Sequence, residues 1–257
     1  MQTNGTADQF ASLRGQRDTR KRAAEDLKAA RYRLTNGTTI KPEFEYELLS
    51  MFVRNELGAA VTMPALSIIF SLASMFWAPV MQGSLWVILV VSSKVLLLEL
   101  CRRFLAIPRD QVDLKMWRRR FFLVELLNGF TWAGFALVGI GEHMLLSSAS
   151  VFSSHVFIFA TLIVLLAIRM TFASTVMPII YAGTIPMTAA VVTRLMLLND
   201  PFYFALASMA VGVHVYFVFL AKGLNSTALA MLEFRAQKDS LIAELEEQKA
   251  ISDEARR

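Results

Sequence analysis

Six polar residues stand inside otherwise apolar stretches of this chain: Lys94, Glu99, Glu125, Asn128, His155 and His214. A charge in hydrocarbon costs ~2.5–3.5 kcal/mol even on insertion scales, so each of these positions asks for a partner or a role. Lys94, Glu125 and Asn128 fall at depths that permit an interhelical cluster, with Glu99 about five residues nearer one end. Such a cluster can act as a proton- or ligand-responsive switch, or it can simply fix helix rotation while Glu99 snorkels to the interface. His155 and His214 invite a haem or metal reading. Their depths differ by some 9–10 Å at 1.5 Å per residue, and no His-x3-His or Cys pair supports it, so polar interhelical contacts are expected and no metal or cofactor.

The elements that must position these residues are helices. The chain has 257 residues, is 55% hydrophobic and has a mean hydropathy of +0.48. Six apolar runs, 57–77, 85–106, 121–141, 150–168, 172–193 and 202–221, come close to the ~20 residues a helix needs to cross ~30 Å of hydrocarbon. Open strands would leave backbone groups unsatisfied there, so the fold class is all-α: a polytopic membrane protein with six transmembrane helices. Cys101 is the single cysteine, which excludes an internal disulfide and reads as a reduced structural thiol beside Arg102 and Arg103. No cleavable secretory leader precedes the first run, which is expected to serve as a retained signal anchor.

Lys and Arg set the orientation. Ten of them lie between Arg14 and Arg54, and the second-to-third connection carries Arg102, Arg103, Arg109, Lys115, Arg118, Arg119 and Arg120. The alternate connections, 78–84, 142–149 and 194–201, are poor in positive charge. Both termini are therefore expected in the cytoplasm of a bacterial inner membrane, with three short loops outside. The net charge of +5 is accounted for by membrane flanks facing anionic headgroups, without any role for nucleic acid.

Four segments follow. Residues 1–41 form a cytoplasmic N-terminal segment, with a solvated helix over 14–34 and a turn at Asn36-Gly37. Residues 42–56 read as an amphipathic elbow helix, with Phe44, Leu48, Met51 and Phe52 at three- and four-residue spacing. Residues 57–221 are the six-helix domain, and 222–257 a cytoplasmic helix. In that last helix Met231, Phe234, Lys238, Leu241, Leu245, Gln248 and Ser252 step by three and four as the seam of a parallel dimer. The polar seam positions weaken it, which suits a switch between packings of similar energy. The sequons at Asn4, Asn36 and Asn225 fall on the cytoplasmic side and read as chance matches.

The fifth run contains Pro178, Tyr181, Gly183, Thr184 and Pro186. Two prolines and a glycine so close should kink or unwind it, and Tyr181 and Thr184 could then face a cavity. No phosphate-binding loop, zinc-protease motif or nucleophile elbow occurs, so the chain as given is not expected to be an enzyme.

The stretch Phe44-Glu-Tyr46-Glu-Leu-Leu49-Ser-Met-Phe-Val-Arg54-Asn-Glu-Leu57, followed by six spans, resembles the membrane input region of some alphaproteobacterial signalling proteins. Lys238-Asp-Ser-Leu-Ile242-Ala-Glu-Leu-Glu246-Glu-Gln-Lys-Ala250 resembles the signalling helix that precedes a histidine-kinase dimerisation domain. The resemblance implies a six-span sensory module of a dimeric two-component protein whose rod leads to a kinase domain, or to a diguanylate cyclase, since those use similar rods. Reading the gene beyond Arg257 would distinguish them. A small transporter or channel and a membrane scaffold remain the other classes; the long rod and the lack of an internal repeat speak against transport.

Overall fold

The computed structural model describes residues 42–140 and 148–255, with side chains over 44–140 and 154–254. The expected helix over 14–34, the Asn36-Gly37 turn, the sequons at Asn4 and Asn36 and the loop around His143 lie outside the described residues.

All regular structure among the described residues is helical. The order is α1 (Pro42–Gly58), α2 (Thr62–Ser74), α3 (Val80–Ala106), α4 (Leu114–Ala133), α5 (Ser148–Ala173), α6 (Met177–Met196) and α7 (Pro201–Ala255), with short 3-10 turns at Arg109–Gln111 and Gly134–Leu137. Local chemistry sets the boundaries. Asp113 caps α4 by accepting from the backbone N–H groups of Lys115 and Met116 at 3.0 and 3.2 Å. Pro178 sits in the first turn of α6, where its missing N–H costs nothing. Asn199 adopts a positive φ of 50° in the turn before α7, a conformation asparagine tolerates, and Asp200 then accepts from the N–H of Phe202.

Helices α3, α5, α6 and α7 are each long and apolar enough to cross a membrane. A fifth such unit arises if α1 and α2, bent by 49° at their junction, count together. The run at 57–77 is thus no single straight helix: α2 alone is 13 residues, about 20 Å long. The run at 121–141 belongs to α4, whose early turns carry Lys115, Arg118, Arg119, Arg120 and Glu125 and whose apolar end passes into the 3-10 turn at Gly134. The outer surface is rich in apolar side chains, Ile68, Ile69, Phe76, Ile88, Phe130 and Phe219 among them. An apolar exterior of that kind is suited to lipid.

The interior falls into two apolar clusters. One gathers Phe70, Trp77, Trp86, Trp132, Phe135, Leu162 and Met187. The other gathers Phe52, Leu97, Phe104, Trp117, Phe121, Met170 and Ile180. Its rings meet edge to face, Phe104 with Trp117 at 5.4 Å and Phe52 with Phe121 at 5.5 Å between centroids. Helix α1 belongs to this second cluster: Leu48, Leu49, Phe52 and Val53 are all buried. The elbow helix therefore packs as part of the bundle.

Helix α6 is unbroken from Met177 to Met196 despite Pro186 inside it. Pro186 cannot donate to the Ala182 carbonyl one turn earlier. The α4 backbone closes on that point: a Cβ placed on Gly129 would lie 2.8 Å from the carbonyl oxygens of Ala182 and Gly183. The helix does not unwind there, and α4 against α6 is the most extensive helix pair in the bundle.

Helix α7 starts against α5 and α6, then leaves the bundle. From Glu233 to Glu254 every residue is exposed.

Candidate functional site

Between the two apolar clusters runs a polar layer, to which α1, α3, α4, α5 and α6 each contribute. On α1 the buried stripe Leu48, Leu49, Phe52, Val53 continues at helical spacing to Glu56. On α3, Lys94 lies between Val90 of one cluster and Leu97 of the other; on α4, Glu125 lies between Trp132 and Phe121. On α5, Arg169 lies between Leu166 and Met170, and on α6, Gly183 lies between Met187 and Ile180.

The four charged groups pair with one another. Lys94 Nζ bonds Glu56 Oε2, and Arg169 Nη2 bonds Glu125 Oε2. Arg169 Nη1 stands 3.5 Å from Glu56 Oε1 and so joins the two pairs. None of these side chains is more than 2% exposed. Two carboxylates against two cations leave the layer neutral, the condition under which charges can be buried at all. Asn128 extends the layer by donating from Nδ2 to Glu125 Oε2 at 3.4 Å. Ser93 Oγ then lies 3.1 Å from Asn128 Oδ1 and 3.0 Å from Thr131 Oγ1.

Gly183 leaves the space this network fills. A Cβ there would stand 2.8 Å from Arg169 Nη2 and 3.2 Å from Glu125 Oε2. The glycine that reads in the sequence as a helix breaker is thus a seat for a guanidinium–carboxylate pair.

No protein-family model, curated protein or solved structure matches the chain. The residues themselves carry the reading.

Of the candidates from sequence, Lys94, Glu125 and Asn128 do meet in one layer. Their ionic partners, Glu56 and Arg169, were not among them. Lys94 pairs with Glu56 on α1, and Glu125 pairs with Arg169 on α5. Glu99 stands apart: it is exposed and accepts from Arg103 Nε one turn on, at 2.8 Å. His155 is buried beside Tyr203, with ring centroids 5.2 Å apart. His214 Nδ1 lies 2.8 Å from Thr188 Oγ1, in a separate contact between α7 and α6. Thr184 is buried and donates to the Ile180 carbonyl at 2.8 Å, while Tyr181 is half-buried. A fifth buried charge among the described residues, Arg194, sits at the far end of α6 and donates from Nη1 to the Ala136 and Val138 carbonyls at 2.5 and 2.8 Å, closing the end of the 3-10 turn.

The layer holds charge and sets the rotation of α1, α3, α4 and α5 against α6. Turning any one helix would separate at least one pair, so these helices can change arrangement only together.

Where the bundle meets the rod, Asn225 Nδ2 donates to the Thr175 carbonyl in the α5–α6 turn at 2.6 Å. Beyond it the expected seam residues Met231, Phe234, Lys238, Leu241, Leu245 and Gln248 are all exposed.

Proposed function

We propose that the chain is the sensory module of a dimeric bacterial inner-membrane signalling protein whose output domain is a histidine kinase, with a diguanylate cyclase as the second reading. The observation that carries this reading is helix α7. One uninterrupted helix of 55 residues, on the order of 80 Å long, runs from the bundle interior into an exposed rod. A continuous helix transmits rotation or sliding from its packed end to its free end. In this reading six spans cross the bilayer, α1–α2 and α4 completing the count, with both termini cytoplasmic. The polar layer supports two discrete packings, and a stimulus acts by favouring one. The exposed side chains Met231, Phe234, Leu241 and Leu245 form the seam of a parallel dimer.

The test is to join the chain through Arg257 to a reporter kinase core and insert one to four alanines after Ser240. Output should vary with the helical phase of the insertion. Output indifferent to all four insertions would sink the reading.

A further inference from the structure

A second polar feature lies apart from the buried layer. Helix α1 and the first exposed turns of α7 enclose a cavity of about 670 Å³, within the size range of small-ligand sites. Its charged lining includes Arg54 on α1, Arg235 on α7 and Arg109 from the 3-10 turn, with Glu47 and Asp239. Arg109 is engaged, with Nη1 3.2 Å from Glu47 and its guanidinium over the Tyr46 ring. Arg54 and Arg235 have neither an ion pair nor a side-chain hydrogen bond among the described residues. Ser50 also lines the cavity; it is 6% exposed, and its hydroxyl makes no hydrogen bond among the described residues. That hydroxyl is accessible through the cavity and can donate to an occupant. The remaining wall includes apolar side chains, Phe44, Met51 and Leu232 among them.

We propose that this cavity binds a phosphate group, held by the Arg54 and Arg235 guanidiniums with the Ser50 hydroxyl donating to it. Two unpaired guanidiniums and a hydroxyl able to donate outweigh the one lining carboxylate without an ion pair among the described residues, Asp239, and guanidinium forks match phosphate oxygens. The apolar wall accommodates a hydrocarbon portion, so an anionic lipid is the favoured source and a free phosphate compound the other. Because its walls come from α1 and α7, an occupant would tie the bundle to the rod at its base. The site stands on this packing alone and does not depend on what the rod drives.

The experiment uses the full chain purified in an uncharged maltoside detergent. Binding of dioctanoyl phosphatidylglycerol and of inorganic phosphate is measured by calorimetry. The protein variants are Arg54→Gln/Arg235→Gln, Ser50→Ala and a control, Lys222→Gln/Lys249→Gln, which removes the same charge from exposed positions outside the cavity. The arginine pair should weaken binding about tenfold or more, as loss of charge-assisted bonds does, and Ser50→Ala by less. The lysine control should leave it unchanged. Phosphatidylglycerol binding with that pattern while inorganic phosphate fails identifies a lipid source. Inorganic phosphate binding with the same arginine dependence identifies a free phosphate source. Binding that ignores the arginine pair, or falls equally in the lysine control, overturns the proposal, as does the absence of binding by either probe.

Discussion

The polar layer at Glu56, Lys94, Glu125 and Arg169 and the rod beyond Glu233 depart from ordinary partitioning in opposite directions. In the bundle, charges are buried to 2% exposure or less. In the rod, apolar residues are left open: Phe234 is 69% exposed, Leu245 64% and Ile251 60%. Within the layer each cation has a carboxylate from another helix, so the charges offset one another inside the chain, although Glu56 Oε1, Glu125 Oε1 and Arg169 Nε lack a hydrogen bond among the described residues. The rod's apolar residues have no covering element among the described residues. Polar burial in one region therefore fixes an internal arrangement, while apolar exposure in the other leaves a surface that no described residue covers.

The contrast breaks most sharply at Arg169. Arg169→Met removes the guanidinium that joins both pairs and leaves Glu56 and Glu125 against a single cation, Lys94. Breaking a buried pair in this way costs about 3–5 kcal/mol, enough to unfold or misassemble many domains. Thermal unfolding of the purified protein should show that loss, and Arg169→Met with Glu125→Gln should recover part of it because the surplus charge is gone. A single variant as stable as the parent would mean that the layer is not an ionic unit.

A smaller effect is expected from the space beside that pair. Gly183→Ala places a methyl group 2.8 Å from Arg169 Nη2 without changing any charge. The side chain can shift, so the cost should fall in the 1–3 kcal/mol range of overpacking and below that of Arg169→Met. Gly129→Ala meets backbone carbonyl oxygens at the same distance, and these cannot swing aside. It should therefore destabilise more than Gly183→Ala. Equal tolerance of both, measured in the same unfolding assay, would place α4 farther from α6 than the structure has it.

Much of this architecture was legible in the sequence, and the gaps have physical causes. Apolar run length located α3, α5, α6 and the start of α7 to within a few residues, because hydrocarbon thickness sets helix length directly. Run length alone would have merged α2 into a longer span, but the elbow helix read over 42–56 put the break within a few residues of the junction between α1 and α2. Lys94, Glu125 and Asn128 stood out as polar residues in apolar runs. Glu56 did not, because it neighbours Arg54 and Asn55 and looks like a membrane flank; its signal was its place on the buried stripe of α1. Arg169 lay just past the boundary drawn at 168. Apolar residues on both sides, from Phe157 to Ile168 and resuming at Met170, mark it as internal. Pro186 was read from its backbone effect alone, which misses the close approach of Gly129 that accompanies an intact helix.

The smallest effect on the bundle is expected from the rod, and there the comparison is sharpest. Leu241→Ser with Leu245→Ser changes two residues that touch nothing in the monomer's core, so unfolding of the bundle should shift by no more than ~0.5 kcal/mol, the ordinary range of surface substitutions. The same pair sits at the centre of the proposed seam and should abolish association of the rods. Single cysteines at Leu241 or Leu245 provide the readout, since Cys101 is buried and does not compete for oxidation. Rapid disulfide formation at Leu241→Cys and Leu245→Cys, with little at the opposite-facing Ala243→Cys, requires a parallel pair in register. If all three positions cross-link alike, the rod has no preferred face, and its open apolar residues do not form a dimer seam.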